Sequence, residues 1–476
     1  MALRIFTCLL LVGFLQSCMS YYQRQSDFNE AFEQANFRKA ERILKTSEPQ
    51  RKNQLLYYLN KGMTTFMRGE YEASNEAFEQ AYLTAETFQP DAGRRMASYF
   101  INPRVTLYSG EHHEVLLINY FKALNYLFQG RTREALVECR RMNIQLDMLN
   151  LQYKNQRQKY QADAFINLLM GLIYEANQDF NNAFIAYRNA FKVYQEDYAK
   201  LFGISAPRQL KADLIRTAGL AGLNQEKRQY QKKFSEDLPT AHQPDKGTLV
   251  FLWHNGMGPI KDQLSLNFTL VEDGGGLATF RNSRYGWQIP FPSYGDRKAE
   301  DDGLSQVELI RLALPQYLER PPYFQRGHIR ANGQQYRLPV AENITKISFQ
   351  TLEDRILREL GNALIRLALK KGTEYAADEE DEDLGFMVNV FNTITEQADT
   401  RNWQTLPHAI HYAKVPLEPG EQTVQLVLDK PEGGPKTYDF TYSIKPGEMQ
   451  FEHFHTVNTK SRTHYRSQDY PEDYQP

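Results

Sequence analysis

The residues whose types and spacing could do chemistry begin with a cysteine near the N-terminus. Arg4 precedes an apolar run from Ile5 to Leu15, which is too short to cross a bilayer as a stable helix and is typical of an export signal. The run ends in Leu15-Gln16-Ser17-Cys18, which has the form of a bacterial lipobox, with an aliphatic residue, a small residue and then the lipidated cysteine. We therefore expect acyl chains, palmitate among them, on Cys18. The alternative is an ordinary cleaved signal peptide that contains a cysteine.

Lipidation of Cys18 predicts a chain held at a membrane of the bacterial cell envelope, on the periplasmic side. Each buried methylene of an acyl chain contributes about 0.8 kcal/mol, so several chains hold a protein on a bilayer indefinitely. Met19 and Ser20 stand where some bacteria use an aspartate to retain lipoproteins in the inner membrane, so the outer membrane is favoured. The sequence after Cys18 has no apolar stretch long enough for a second span.

Composition bounds the classes of function. The chain has 476 residues, 56 Lys plus Arg and 58 Asp plus Glu, which leaves a formal net charge of −2. This balance gives no electrostatic footprint for nucleic acid. Once Cys18 carries lipid and Cys8 is removed with the signal, Cys139 is the remaining cysteine, so no intramolecular disulfide framework can form. The length suggests two or three domains that are stabilised by packing.

Two further motifs have simpler explanations than a chemical site. Adjacent histidines on a helix point about 100° apart and rarely bind one metal ion, and the His-Glu-x-x-His spacing is absent at Glu111-His112-His113-Glu114. We interpret this segment as a charged helix start. The Gly-rich turn from Asn255 to Lys261 lacks Gly-Lys-Ser/Thr and precedes a strand, whereas a phosphate loop needs a helix N-terminus. We expect no metal and no cofactor.

The remaining candidates for chemistry are an acidic run and a thiol. Residues 378–383 are six consecutive acids, typical of a solvated loop; calcium binding stays open there, although no turn glycine spaces the carboxylates as in an EF-hand. Cys139 falls at a predicted packing position, where a cysteine behaves as a small apolar residue. No Gly-x-Ser-x-Gly elbow occurs. We expect no catalytic residues, with a hydrolase of envelope polymers as the alternative.

We predict a lipidated tether at residues 18–25, followed by a series of helices over residues 26–234. These helices would position any functional site in the first half of the chain. Apolar residues recur there at spacings of three and four, and a register of small and aromatic residues appears three times, as in tetratricopeptide repeats. A plain helical bundle is the alternative. The small residues that the register places at helix contacts or turns are Gly62, Gly69, Ser74, Ala81, Ala123, Gly130, Ala135, Gly171, Ala183 and Ala190.

A second half of mixed character is predicted at residues 247–458, after a linker at 235–246. Short β-rich runs separated by Gly and Pro turns indicate antiparallel strands, and apolar stripes near Leu352–Leu367 and Phe386–Ile394 indicate an inserted helix pair. Residues 459–476 read as a flexible tail. The fold class is therefore α+β, with an all-α tetratricopeptide-like solenoid followed by this mixed domain. Trp403 is expected to anchor a helix to the sheet.

Four segments resemble a family of poorly characterised bacterial lipoproteins. They are Gly110–Leu127, Ala135–Asn143, Trp253–Lys261 and Asp399–Pro407. The family combines tetratricopeptide-like repeats with a β-rich domain, so the resemblance implies architecture and location, and it supplies no catalytic residue to carry over.

These observations lead to a functional prediction. Stacked helix pairs form an extended surface for peptides or proteins, so we predict an envelope scaffold or adaptor that binds protein or peptide partners. The narrower alternative is an accessory factor for peptidoglycan synthesis or envelope assembly. The partner's identity, the pathway and the oligomeric state stay open.

Overall fold

The computed structural model describes residues 23–46, 50–88, 106–152, 163–234, 238–240, 242–272, 277–282, 287–292, 308–354, 356 and 397–458. The signal segment with Cys18, the acidic run 378–383, the second predicted inserted helix and the tail lie outside these residues. The described chain is α+β, with helices first and strands after them, so the predicted fold class is confirmed.

Ten helices make up the described part of the first half. They are α1 (residues 23–33), α2 (Phe37–Lys45), α3 (Gln54–Met67), α4 (Tyr71–Thr87), α5 (His112–Phe128), α6 (Thr132–Gln152), α7 (Ala164–Ala176), α8 (Phe180–Val193), α9 (Arg208–Leu220) and α10 (Asn224–Phe234). A π turn at Tyr194–Tyr198 and a short helix at Ala199–Leu201 extend α8. The helices pair in sequence order, and the second half of the chain adds α11 at residues 344–354.

The turn inside each helical pair has the same construction. A residue in the left-handed region ends the first helix of all five pairs, and the next backbone N–H bonds to a carbonyl five residues earlier. Glycine takes this position at Gly69 and Gly130, where φ is 74° and 69°. Repetition of one turn explains why the hairpins resemble one another despite unequal spacing along the chain.

Small residues lie where paired helices touch. A Cβ placed on Gly62 would lie 2.5 Å from the ring of Phe78, and one on Gly171 would lie 2.3 Å from the ring of Tyr187. The Ser74 hydroxyl, fully buried, donates a hydrogen bond of 2.9 Å to the Gly62 carbonyl. The alanines of the predicted register are also fully buried: Ala81, Ala123, Ala135, Ala183 and Ala190.

Three four-stranded sheets form the second half. The strands are β1 (Gly247–Asn255), β2 (Ile260–Glu272), β3 (Leu277–Asn282), β4 (Trp287–Pro292), β5 (Glu308–Leu318), β6 (Gly327–Ala331), β7 (Gln334–Arg337), β8 (Val340–Glu342), β9 (Ala409–Leu417), β10 (Gly420–Leu428), β11 (Lys436–Ile444) and β12 (Met449–Thr456). Their orders are β12-β1-β9-β8, β11-β10-β6-β7 and β4-β3-β2-β5. We name these the first, second and third sheets.

One strand pair departs from the antiparallel prediction. β1 and β12 run parallel, with Thr248 opposite Met449 and Asn255 opposite Thr456, whereas the other pairs in the described residues are antiparallel. Parallel neighbours need a long crossover, and here nearly the whole second half of the chain separates the two strands. Hairpin turns in the sequence could not indicate this pairing.

The first sheet lies between the helices and the second sheet. Val250 and Leu252 belong to a core shared with the helices, while Leu249, Phe251 and Trp253 belong to a core shared with β6, β10 and β11. The alternation follows from the strand's period of two. Both faces of β1 are therefore buried, and the helical half and the sheet share one hydrophobic core.

Filling a helix contact tests this packing. Replacing Gly171 by valine should lower the free energy of unfolding by about 1–3 kcal/mol relative to the same change at Gly219, because the new side chain overlaps the buried Tyr187 ring. Gly219 is also helical, but its nearest neighbour is the flexible end of Lys227. Urea unfolding of both variants gives the comparison, and equal midpoints would show that Gly171 is not a close contact.

Candidate functional site

One surface of the helical half faces the first sheet. We call it the inner face, formed by the first helices of successive pairs, α3, α5, α7 and α9. Phe66 of α3 packs on His453 with ring centroids 4.5 Å apart, and Phe121 of α5 packs on Trp403 at 5.8 Å. Trp403, which is 1% exposed, thus anchors helices to the sheet half. Most of the inner face is occupied by the chain's own strands.

The start of α5 is a buried polar contact between the two halves. Glu111 and Glu114 form a capping box at the first turn, as the interpretation of a charged helix start predicts, but both are buried, at 5% and 1% exposed. Lys261 pairs with Glu111 at 2.7 Å, and the Trp403 backbone N–H donates to Glu114 at 2.7 Å. Burial, followed by repulsion from Glu111, raises the pKa of Glu114 to about 7. The Gly-rich turn therefore supplies a lysine to a carboxylate and not to a phosphate.

The adjacent histidine has a structural partner. His113 is buried, and its Nε2 lies 2.9 Å from the Ser348 hydroxyl of α11. Within the described residues, no three His, Cys, Asp or Glu side chains come together in a way that could hold a metal ion. Cys139 is fully buried, and burial raises its thiol pKa well above the ordinary value, so the thiol is unreactive.

Four buried charges join α7 and α9 to β9. Lys414 lies 2.9 Å from a carboxylate oxygen of both Glu175 and Asp213, and Arg216 pairs with the same two acids. Despite burial, the two cations lower the pKa of Glu175 to about 2. Its carboxylate stays ionised and hydrogen-bonded at neutral pH, which leaves it unsuited to general acid or base catalysis. The cluster holds the last helical pairs on the sheet.

A cleft opens above this charge cluster. Its volume is about 1170 Å³, and its wall includes the ends of α7 and α9, the linker at 238–247, β7 and the first residues of β12. The lining is mixed. Its polar and charged side chains, besides those of the charge cluster, are Gln178, Arg208, Gln209, His242, Gln243, Lys246, Thr248, Gln334, Gln335, Tyr336, Arg337, Tyr412 and Glu448, and its apolar side chains include Phe180, Pro239, Pro244, Pro339, Pro416 and Met449. Here part of the inner face, with Glu175 and Arg216, borders open space and not a strand.

Several polar groups of the cleft lack partners inside the protein. The Tyr412 hydroxyl is fully buried and makes no hydrogen bond within the described residues. The side chains of Gln178, Gln335 and Arg337 are exposed and form no hydrogen bond or ion pair with any described residue. A buried polar group without a partner costs free energy and often marks a place where a ligand completes the hydrogen bonding, and of these groups the Tyr412 hydroxyl is the buried one. The three exposed side chains are open to solvent or to a ligand. The cleft is accordingly the candidate binding site.

Exposed apolar side chains are found on the opposite surface. Leu83 of α4, Val137, Ile144 and Met148 of α6, and Ile185 of α8 are 37–58% exposed, and all belong to second helices of the pairs. These side chains are spread over three helices. This outer face is a second surface that a partner could contact.

The predicted residues and the candidate site are different sets. The small residues of the predicted register build the helical pairs and do not line the cleft. Gly171, Ala183 and Ala190 belong to the same helical pair as Glu175. Sequence reasoning missed Glu175, Asp213 and Lys414 because they meet only through tertiary folding. One signal was available: charged residues interrupt the apolar stripes of two helices at Glu175 and Asp213, and such charges need buried partners.

Three histidines line the contact between α3, α5 and the sheet. His254 Nε2 and the Tyr120 hydroxyl are 2.8 Å apart, and His455 Nε2 donates to the Gly256 carbonyl at 2.8 Å. The ring of His453 lies 4.7 Å from that of Phe128. Burial lowers the pKa of His453 to about 3 and of His455 to about 4. All three are therefore neutral in the folded protein at mildly acid pH.

This neutrality predicts a loss of stability in acid. An unfolded histidine takes up a proton below about pH 6.5, while His453 stays neutral until about pH 3, so acid favours the unfolded state. Between pH 7 and pH 5, wild type should lose about 2 kcal/mol more unfolding free energy than a His453→Phe variant. Glu114 acts with the opposite sign, since its raised pKa stabilises the fold at low pH, but it is present in both proteins and cancels. Urea unfolding at both pH values measures the difference, and equal pH dependence would refute the assignment.

Comparison with known proteins finds similar solved structures but no similar sequence family. No family model matches the chain, and no curated protein matches its sequence. Among solved structures, the chain is similar to the MamA protein, with 13% identity over 44% of this chain and 88% of that one, at a TM-score of 0.29. It is also similar to aspartyl phosphate phosphatase F from Bacillus subtilis, with 14% identity over 47% of this chain and 50% of that one, at 0.30.

A third match is BtubC (BKLC) from P. vanneervenii, with 13% identity over 47% of this chain and 84% of that one, at a TM-score of 0.30. The three are helical-repeat proteins. At these identities and TM-scores the matches carry no information on what this chain binds.

Proposed function

We propose that this protein is an envelope lipoprotein, anchored through Cys18, that binds protein or peptide partners with its helical repeats at the cleft. The observation that carries the binding role is the open end of the inner face. There, the buried Tyr412 hydroxyl of β9 and the exposed side chains of Gln335 and Arg337 of β7 border a cleft of about 1170 Å³ and have no hydrogen-bond partner among the described residues. Helical repeats use such surfaces to hold peptides and other protein segments.

The chemistry of the cleft supports binding and not catalysis. Its buried acids and bases neutralise one another: Glu175 and Asp213 are held by Arg216 and Lys414. A catalytic acid or base needs a pKa near the working pH, and Glu175 has a pKa of about 2. The remaining polar lining groups are mostly amides, hydroxyls and cations, which recognise polar ligands, and apolar side chains such as Phe180 and Met449 lie among them.

In this proposal the partner binds at one end of the inner face, whereas a solenoid with an open inner face can bind a partner along its whole length. The chain's own strands cover most of the inner face, so the last two helical pairs supply the binding surface. The lipobox at Cys18 and the resemblance to bacterial lipoproteins support the envelope location. In the described residues, no helix has the length and apolarity that a bilayer crossing requires.

Removing the lipidated cysteine tests the anchor. Cys18→Ser should move the protein from the membrane pellet to the soluble fraction, because the acyl chains can no longer be attached. Fractionation of cells in low and high salt, followed by immunoblotting, measures this change. Wild type should stay in the pellet in both conditions, and retention of the variant in high salt would contradict anchoring through Cys18.

A crosslinking experiment tests the binding role separately. Phe180 begins α8 and lines the cleft, so p-benzoylphenylalanine in its place should yield discrete adducts with other proteins on irradiation of intact cells. The matched control is the same residue at Asn189, which is exposed on α8 and does not line the cleft. Adducts at both positions in equal amount, or none at Phe180, would argue against partner binding at the cleft.

A further inference from the structure

The cleft is bordered by the edge of a strand. β7 is the last strand of the second sheet, and all four of its residues, Gln334–Arg337, line the cleft. Successive side chains of a strand point to opposite faces of the sheet. A cavity that touches four consecutive residues must therefore lie against the strand's edge, where unpaired backbone groups are found.

The register of the hairpin shows which backbone groups face the cleft. Asn332 and Gly333 have φ of 49° and 70°, the conformation of a two-residue turn, so Ala331 and Gln334 form the first hydrogen-bonded pair. Bonded and non-bonded pairs then alternate, and the bond from the Leu338 N–H to the Gly327 carbonyl agrees with this order. The N–H and C=O of Gln335 and Arg337 consequently point away from β6 and toward the cleft.

The charge around this edge selects the ligand. Arg337 is exposed and forms no ion pair with any described acid. The helix α9 begins at Arg208, after Pro207, with no side-chain cap and no acid in its first turn. Its N-terminus carries a partial positive charge. Arg208, Arg337 and the helix end together outweigh Glu448, the lining acid outside the charge cluster, so this end of the cleft favours a carboxylate.

We propose that the cleft binds an extended, acidic peptide segment of a partner protein, which adds as a strand to the free edge of β7. This inference rests on the proposed function and names its ligand and mode of binding. Backbone bonds to Gln335 and Arg337 supply affinity, and an acidic side chain or C-terminal carboxylate of the peptide pairs with Arg208 and Arg337. The volume of about 1170 Å³ exceeds the roughly 300–1,000 Å³ of small-molecule pockets and suits a peptide.

The test selects linear twelve-residue peptides from a random display library on the full-length lipidated protein in detergent. Enriched peptides, labelled with fluorescein, are then titrated by fluorescence polarisation. Gln335→Pro removes the outward N–H without breaking the β6–β7 ladder and should weaken binding about fivefold to tenfold, whereas Gln335→Ala should change it less than about twofold. N-methylation of alternate peptide residues gives a second measure of backbone pairing should the proline variant not fold.

Substitution of Arg337 tests whether the cleft binds an acidic group of the peptide. Arg337→Gln should weaken acidic peptides about tenfold at low salt, with a smaller loss at high salt. Arg330→Gln is the matched control, because Arg330 faces solvent on the neighbouring β6 and does not line the cleft. Ile144→Ser, on the outer face, should leave binding unchanged.

Several results would overturn the inference. The selection would do so if no peptides were enriched, or if the enriched peptides contained no acidic residues. The backbone test would do so if Gln335→Pro and Gln335→Ala had equal effects and N-methylation of the peptide made no difference. Loss of binding in Ile144→Ser would do so as well. Cleft-dependent binding of neutral chito-oligosaccharides in place of peptides would also overturn it. Crosslinks from position 180 that persist in any of these cases would leave the proposed function standing and remove only the strand-addition mode.

Discussion

The contact between the inner face of the helices and the first sheet is the constraint on which the rest of the structure depends. Each helical pair contributes something that only the sheet half can satisfy. Glu114 of α5 receives the Trp403 N–H, and the acids of α7 and α9 share Lys414. Leaving one such charge buried and unpaired costs about 3–5 kcal/mol, so these contacts fix where the sheet lies as well as stabilising it.

This arrangement changes what a helical-repeat half can do. A repeat protein with an open inner face can bind a partner along its whole length. Here the partner of the second and third helical pairs is already present in the same chain, since Phe66, Phe121 and Tyr120 contact sheet-half residues. Specificity then resides in a short region where helices and a strand edge meet, and both halves contribute to it.

The helical half could be predicted from the sequence because its signals are local. Turn residues such as Gly69, and small residues such as Gly62 opposite Phe78, lie within one hairpin. The strands β1, β2 and β9 to β12 could also be predicted from β-rich runs between turns. The burial partner of the helices did not follow, because an amphipathic stripe shows that a face is covered without showing what covers it.

Two local sequence features, one in α5 and one before β7, bear on the packing of the helices and on the candidate site. The apolar residues between Leu116 and Leu124 of α5 cover more than one face of the helix, which is typical of a helix packed on both sides, and every residue from Leu116 to Asn125 is indeed buried. The short polar strand β7, with the sequence Gln-Gln-Tyr-Arg, has no apolar alternation, so no pattern of periodicity could identify it. Its existence depends on the Asn-Gly turn before it, which is a strong hairpin signal. The candidate site could not be predicted from the sequence, because its walls come from segments that are far apart along the chain.

The parallel pairing of β1 with β12 has a consequence for biogenesis. Ribosomal synthesis delivers the helices first, yet the sheet that buries their aromatic side chains is completed only by the strand that ends at Thr456. Until then Phe66 lacks its contact with His453 of that strand, and transiently exposed apolar surface promotes aggregation. The export proposed above would avoid this period if the chain crosses the membrane unfolded, because the whole chain is then available when folding starts. A nascent chain that stalls before its last strand is a substrate for chaperones and proteases.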